Sequence, residues 1–190
     1  MKMKHILWHS LTIICMIVLF CGCKSMRELK NLQRCDFEFA SISDFEYAGV
    51  KFNSIRSIND IEVENVTRIL AAATSKTCAI SFNVNVKVTN QSASWASLNA
   101  MKWTLYADGD KLLDGELFTP FSVEPHCSGI MMLRASMVPS IRGKAAPLQQ
   151  IFRIYQNIMG FNADEPSNLT LKIKPTVNKT ELPYITLKLN

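Results

Sequence analysis

The sequence is short of the residues on which most enzymatic and metal chemistry depends. It has three histidines in 190 residues, and two of them, His5 and His9, lie within the first ten. Its six cysteines include no C-x-x-C pair. A structural zinc site needs four closely spaced thiolate or imidazole ligands, so that class is set aside. There is no G-x-S-x-G, no H-E-x-x-H and no phosphate-binding loop. His126 adjoins Cys127, which supplies the letters of a base and a thiol nucleophile. Neighbours on an extended chain point to opposite faces, so adjacency argues against a dyad. His126 reads as an exposed loop residue following Pro125. No catalytic residue, metal ligand or cofactor is expected, and the chain reads as a non-enzyme.

Nor is there a stripe of one charge. The formal net charge is +5, with Lys and Arg scattered along the chain; nucleic-acid binding needs them gathered on one face. Internal repeats and low-complexity stretches are also missing. One long apolar run exists, from Leu11 to Cys21, behind a Met-Lys-Met-Lys start and ahead of Lys24. A membrane-crossing helix needs about 20 apolar residues. This shorter run suits the apolar core of a secretory signal, with an uncleaved anchor helix as the alternative.

The run ends in Phe20-Cys21-Gly22-Cys23. That ending resembles the lipobox of bacterial lipoproteins, in which a small residue precedes the cut and a diacylglyceryl cysteine follows it. Gly22 and Cys23 fit, whereas Phe20 departs from the usual leucine. The resemblance implies a signal peptide at 1–22 and lipid attachment at Cys23. Cys21 is the rival site, but the residue before it is the large Phe20. By the sorting rules of such lipoproteins, Lys24-Ser25 without aspartate implies the outer membrane. The lack of an acidic run after Cys23 implies a periplasmic orientation. The expected location is therefore the bacterial cell envelope, with the membrane as a partner through acyl chains.

Processing at Cys23 leaves 168 of the 190 residues, with 19 basic against 16 acidic side chains. That is one domain by length, expected as a lipidated tether at 23–35 and a folded domain at 36–190. Phe37 and Phe39 share one face and Phe45 and Tyr47 share a face in the next piece, with the alternation broken between them, which predicts a bulge in one interrupted strand or a break between two. Residues 63–73 turn to helical spacing at Val63, Val66, Ile69, Leu70 and Ala73, with Asn59 and Glu62 spaced as a capping box. Ile80, Phe82, Val84, Val86 and Val88 alternate with Ser81, Asn83, Asn85, Lys87 and Thr89, the pattern of a strand with one buried and one wet face. Asp108-Gly109 supplies a hairpin turn between strands near 101–107 and 110–117. A strand follows near 129–137.

Pro147 and Gly160 bracket a second helix, striped with Leu148, Ile151, Phe152, Tyr155 and Ile158. Two alternating strands close the chain, near 168–174 and 184–189. About seven strands with turn signals between them give a mainly β, two-layer antiparallel sandwich with two inserted helices.

The order of these pieces resembles the late-embryogenesis-abundant type 2 family, or WHy domain, in its Bacteroides-type lipoprotein branch. The residues that carry the likeness are CDFEFASISDFEYAGVKF, the long strand ending in Asn90, the DG hairpin, FSVEPHCSGIMML, and the closing strands LTLKIKPTV and YITLKL. They span roughly 35–189. Family members usually have Asn-Pro-Asn or similar after the long strand, where this chain has Asn90-Gln91-Ser92. The likeness implies an immunoglobulin/fibronectin-III-like sandwich, no catalytic residues, and a link to stress tolerance. On such a strand order Cys35 and Cys127 lie at one end, two strands and about 9.5 Å apart, and Cys78 at the other. A bridge needs Cα atoms within about 7 Å. Three free thiols are expected, and Cys35–Cys127 is the one pair that loop bending could join.

Few residues stand out as sites. Trp95, in the polar loop NQSASWAS, is a candidate partner contact. Asp108, Asp110, Asp114 and Glu116 lack the spacing of a calcium loop and read as solvated hairpin carboxylates. Asn65, Asn90, Asn168 and Asn178 begin chance glycosylation triplets. The function expected is a non-enzymatic envelope lipoprotein, a tethered module that binds a protein, glycan or lipid or protects the envelope under stress. The alternatives are a carrier of an apolar ligand, walled by Met131, Met132, Met137 and Met159, and an adhesin- or fimbria-like subunit.

Overall fold

Period-two alternation builds the centre of the fold. The computed structural model describes residues 31–75, 77–117, 119–139, 147–161, 168–177 and 180–189. Strand β1 (Cys35–Tyr47) and the short β2 (Val50–Lys51) open it. A 3-10 turn (Ile58–Asp60) leads into helix α1 (Val63–Ser75). Strands β3 (Ile80–Asn90), β4 (Ala96–Leu98), β5 (Ala100–Ala107), β6 (Asp110–Leu117), β7 (Phe121–Val123) and β8 (Ser128–Met137) follow. Helix α2 (Pro147–Met159) precedes β9 (Leu169–Val177), β10 (Thr180–Glu181) and β11 (Ile185–Lys188).

Two antiparallel sheets share one core. The first has the order β2-β1-β3-β8; the second runs β10-β9-β5-β6, with β11 also paired to β9. A small ribbon of β4 and β7 lies beside them. Ile80, Phe82, Val84, Val86 and Val88 of β3 and Met131 and Leu133 of β8 point inward. They meet Met101, Trp103 and Leu105 of β5 and Leu171 and Ile173 of β9. Each such side chain contributes about 1.5–3 kcal/mol on burial, which makes this layer the dominant source of stability. Gly115 lies opposite Trp103 in the β5–β6 ladder, and a Cβ there would overlap the indole ring. The indole needs a partner without a side chain.

The interruption expected in β1 is present. The strand is continuous, but its pairing with β3 slips twice, between Phe39 and Ser41 and between Ser43 and Glu46. Those slips alter the face expected to be wet. Ser41, Ser43 and Asp44 are brought over β3, where Asn83 Nδ2 donates to Asp44 Oδ2 (2.7 Å) and Asn85 Nδ2 to the Ser41 and Ser43 hydroxyls (3.0 and 3.1 Å). Asn83 and Asn85 are consequently buried. The Ser43 hydroxyl donates to the same Asp44 carboxylate (3.0 Å), and this bond and that from Asn83 hold the Asp44 carboxyl below its ordinary pKa.

The helices close one end. α1 and α2 pack on each other, α1 on β2 and α2 on β1, next to the row Tyr47–Ile80–Met137. The stripe on α2 holds, with Ile151, Tyr155 and Ile158 buried. On α1 it narrows to Ile69 and Ala73, and Val63 is 83% exposed. The capping box expected at Asn59 and Glu62 lies instead at Ser57 and Asp60, around the 3-10 turn. Tyr155 packs among Phe45, Phe52 and Phe152 with ring centroids 5.1–5.9 Å apart. Its hydroxyl reaches the Phe52 and Ile55 carbonyls at 2.9 and 3.0 Å. Tyr155→Phe keeps the rings and strips the Ile55 carbonyl of that donor. Urea titration is expected to show a loss of about 1–2 kcal/mol with an unchanged m-value.

Candidate functional site

The end opposite the helices gathers the sites named from the sequence. Asn90 closes β3 there, with no exposed surface. Its Nδ2 lies within hydrogen-bond distance of the Ser94, Val123 and Glu124 carbonyls (2.9, 3.1 and 3.1 Å). Its Oδ1 accepts from the Ser92 amide (3.0 Å) and the Ser92 hydroxyl (2.6 Å). One amide thus ties the β3–β4 loop to the end of β7. A glycan at Asn90 is incompatible with that burial.

The start of the described chain is fastened to the same loop. Asn31 Nδ2 donates to the Trp95 carbonyl at 3.0 Å, and Leu32 is buried in the core. The packed chain therefore reaches back into the segment read as tether. The Trp95 ring itself is 49% exposed. Cys35 pairs with Asn90 across the ladder, and the Asn90 amide donates to the Cys127 carbonyl on the other side (2.9 Å). β3 thus separates Cys35 from Cys127, as expected, and Cys78 precedes β3 at the helical end. All three thiols are free: Cys35 buried, Cys78 half-buried and Cys127 exposed. Burial pushes the Cys35 thiol up to about 11, with Asp36 adding to the shift. His126 is exposed, in a turn with φ 55°. Cys21 and Cys23, the two lipid-attachment candidates, lie outside the described residues, as does Asn178.

A cleft of about 480 Å³ begins at this end and runs along the seam between the sheets. Leu32, Cys35 and Phe37 line one side, and Leu182, Ile185 and Leu187 the other. Its two long walls are strand edges. Beyond β3, β1 pairs only with the two residues of β2, and β11 pairs only with β9 among the described residues. Tyr184, at the rim, is 63% exposed.

A second, polar cleft of about 260 Å³ lies on the outer face of the other sheet. Glu181 there bridges Lys174 (2.5 Å) and Lys102 (3.4 Å). Lys172 and Lys174 lie over the rings of Tyr106 and Tyr184. Asp114 of the hairpin pairs with Lys111 (3.0 Å), and Asp108 accepts from the Asn168 amide (2.8 Å). No group of three or more His, Cys, Asp or Glu able to hold a metal occurs among the described residues.

The methionine cavity does not form as expected. Met131 and Met132 are neighbours on β8, so one is buried and the other 55% exposed. Met137 alone of the four lines the cavity of about 130 Å³ beneath α2. Among the described residues, no helix is long and apolar enough to cross a membrane.

No family model and no curated protein matches the chain. Among solved structures, a protein from Archaeoglobus fulgidus is similar over 58% of this chain and 82% of its own, at 16% identity and a TM-score of 0.36. A putative β-galactosidase from Bacteroides fragilis is similar over 58% of this chain and 14% of its own, at 12% identity and a TM-score of 0.34. Likenesses this slight bear on neither architecture nor chemistry.

Two outcomes follow from the Asn90 end. Asn90→Ala takes a donor from the Val123 carbonyl and the acceptor from Ser92, while the Ser94 and Glu124 carbonyls keep the Ser92 hydroxyl and the Cys127 amide; it is expected to cost on the order of 1–3 kcal/mol. Asn90→Asp sets a carboxylate against those carbonyls and is expected to cost at least as much; chemical denaturation measures both. Among the thiols, Cys127 should react with a maleimide at neutral pH and Cys35 only after unfolding, which peptide mapping reads directly. Because the folded Cys35 pKa is raised from 9.0 to about 11, the unfolded chain loses its proton first as pH rises. The stabilising contribution is present below pH 9.0 and is lost towards pH 11. Cys35→Ala should flatten that part of the stability curve.

Proposed function

We propose that the protein is a non-enzymatic, membrane-tethered binding module of the bacterial cell envelope, anchored by acyl chains on Cys23 at the outer membrane and facing the periplasm. The observation that carries the binding role is the seam cleft. Its volume falls within the range of about 300–1,000 Å³ typical of ligand sites, and its lining is mostly apolar. The cavity beneath α2, at about 130 Å³, falls below that range, which favours the seam over a ligand carried under the helices. Protection of the envelope under stress is compatible with the same placement.

The sandwich is read as immunoglobulin/fibronectin-III-like. Supporting this, the chain alternates between sheets in Greek-key fashion: β1 and β3 in the first, β5 and β6 in the second, β8 back in the first, β9 and β11 in the second. Kinship with the type 2 late-embryogenesis-abundant proteins rests on the sequence likeness. A second reading, a strand-accepting subunit of adhesin or fimbrial kind, is favoured by the two strand edges that wall the cleft, where an added strand finds unpaired main-chain groups.

The anchor is tested by intact mass of the envelope-extracted protein. Diacylglyceryl mass on a chain starting at Cys23, lost together with membrane partition in Cys23→Ser, is the expected result; an unprocessed leader would overturn it. The binding role is tested by a photo-crosslinking residue at Tyr184 in cells, with Val63, at the far end, as control. Adducts at Tyr184 alone are expected, and equal labelling at both positions would reject the seam as the site.

A further inference from the structure

The structure assigns a second contact to this end of the domain: we propose that the Trp95 loop seats on the surface of the membrane that holds the anchor. The inference rests on the lipid-anchored reading above and adds to it an orientation and a residue. Three observations carry it. The first is distance. Seven residues lie between Cys23 and Asn31, so the eight Cα–Cα steps can reach no more than about 28 Å in any conformation. The second is the fastening. Asn31 does not merely precede the domain; its side chain holds the main-chain carbonyl of Trp95 at 3.0 Å. The short connection therefore delivers the Trp95 loop, rather than the helical end, to the bilayer.

The third observation is the chemistry presented there. The Trp95 ring is half exposed, the one tryptophan of the eight large hydrophobic side chains exposed among the described residues. An indole with an apolar body and one N–H donor is favoured at the boundary between acyl chains and headgroups. The connecting segment KSMRELKNLQR carries Lys24, Arg27, Lys30 and Arg34 against Glu28 alone. A net +3 so close to the anchor complements anionic phospholipid. Asp36 and Glu124 also lie at this end and reduce the net charge of these groups to +1; the basic side chains Lys24, Arg27 and Lys30 are the ones nearest the anchor in sequence. The occupant the surface fits is thus an anionic bilayer face.

A chain that starts at Cys23 retains two tryptophans, exposed Trp95 and buried Trp103, so its emission reports this contact. The acylated protein is placed in phosphatidylethanolamine–phosphatidylglycerol vesicles with and without lipids brominated near the headgroup. Quenching of the Trp95 share of the emission is expected, with a blue shift relative to the protein released from its anchor by proteolysis. W95F should remove the quenched component while leaving circular dichroism and melting unchanged, because the ring is not part of the core. Acylated, vesicle-bound protein whose emission is the same with and without bromolipid would overturn the contact and leave the anchor standing. Protein that carries no acyl group at Cys23 would overturn the anchor and the contact with it.

Discussion

The side chain of Asn90 is the constraint on which the end opposite the helices depends. A strand that ends inside a protein leaves main-chain carbonyls from several loops converging on one dry point, and each must find a donor. Here a single carboxamide satisfies the loop after β3 and the segment after β7 at once, and receives two donors from Ser92 in return. No other uncharged side chain of that size both gives and takes hydrogen bonds in this way. The amide of the same residue holds Cys127 in place. Position 90 thus fixes the geometry of two loops and, through the β3–β4 loop, the place of Trp95.

Against this, the surface charges contribute little. The ion pairs Arg68–Glu64, Lys87–Glu38 and Lys111–Asp114 are all solvent-exposed, and such pairs are typically worth about 0–1 kcal/mol. The core layer formed by β3, β5, β8 and β9 outweighs them by an order of magnitude on burial alone. The lysine-rich outer face of the second sheet, where Lys102 and Lys174 stand directly opposite each other, needs Glu181 between them to offset their repulsion. That face is a balanced set of charges and is not tuned for one ligand.

Strand placement was legible because it is written in period two. The β5–β6 hairpin, the long β3, both helix positions and the slip in β1 follow from alternation, Asp-Gly, Pro147 and Gly160. What escaped was structure that depends on partners distant in sequence. β4 and β7 are three residues each, too short for any period to show, and exist because they pair with one another. Asn83 and Asn85 carry the signature of a wet face and become buried because β1 slips over them. Val63 carries the signature of a core residue and stays exposed because only one side of α1 meets the fold. Trp95 was legible as an aromatic in a polar loop, but its attachment to Asn31 was not, since a side-chain amide bonded to a carbonyl 64 residues away leaves no local pattern.

The two ends of the molecule divide the labour of the fold. At the helical end, Phe45, Phe52, Phe82 and Tyr155 stack into a closed aromatic cluster, and Arg56 seals it over Phe161. The cluster is buried, while Val63 and Leu70 on the outer side of α1 and the edge of Phe161 stay exposed. At the opposite end the core is closed by hydrogen bonds to main-chain carbonyls, which hold loops in place without covering them. That difference has a consequence for binding. Loops fixed by buried hydrogen bonds lose little further conformational freedom when they meet a surface, so more of the contact energy remains as affinity. An exposed ring on a loop held in this way is pre-organised, whereas the same ring on a free loop would lose much of its gain to ordering. The end whose loops are held by these bonds is therefore suited to make contacts outside the fold.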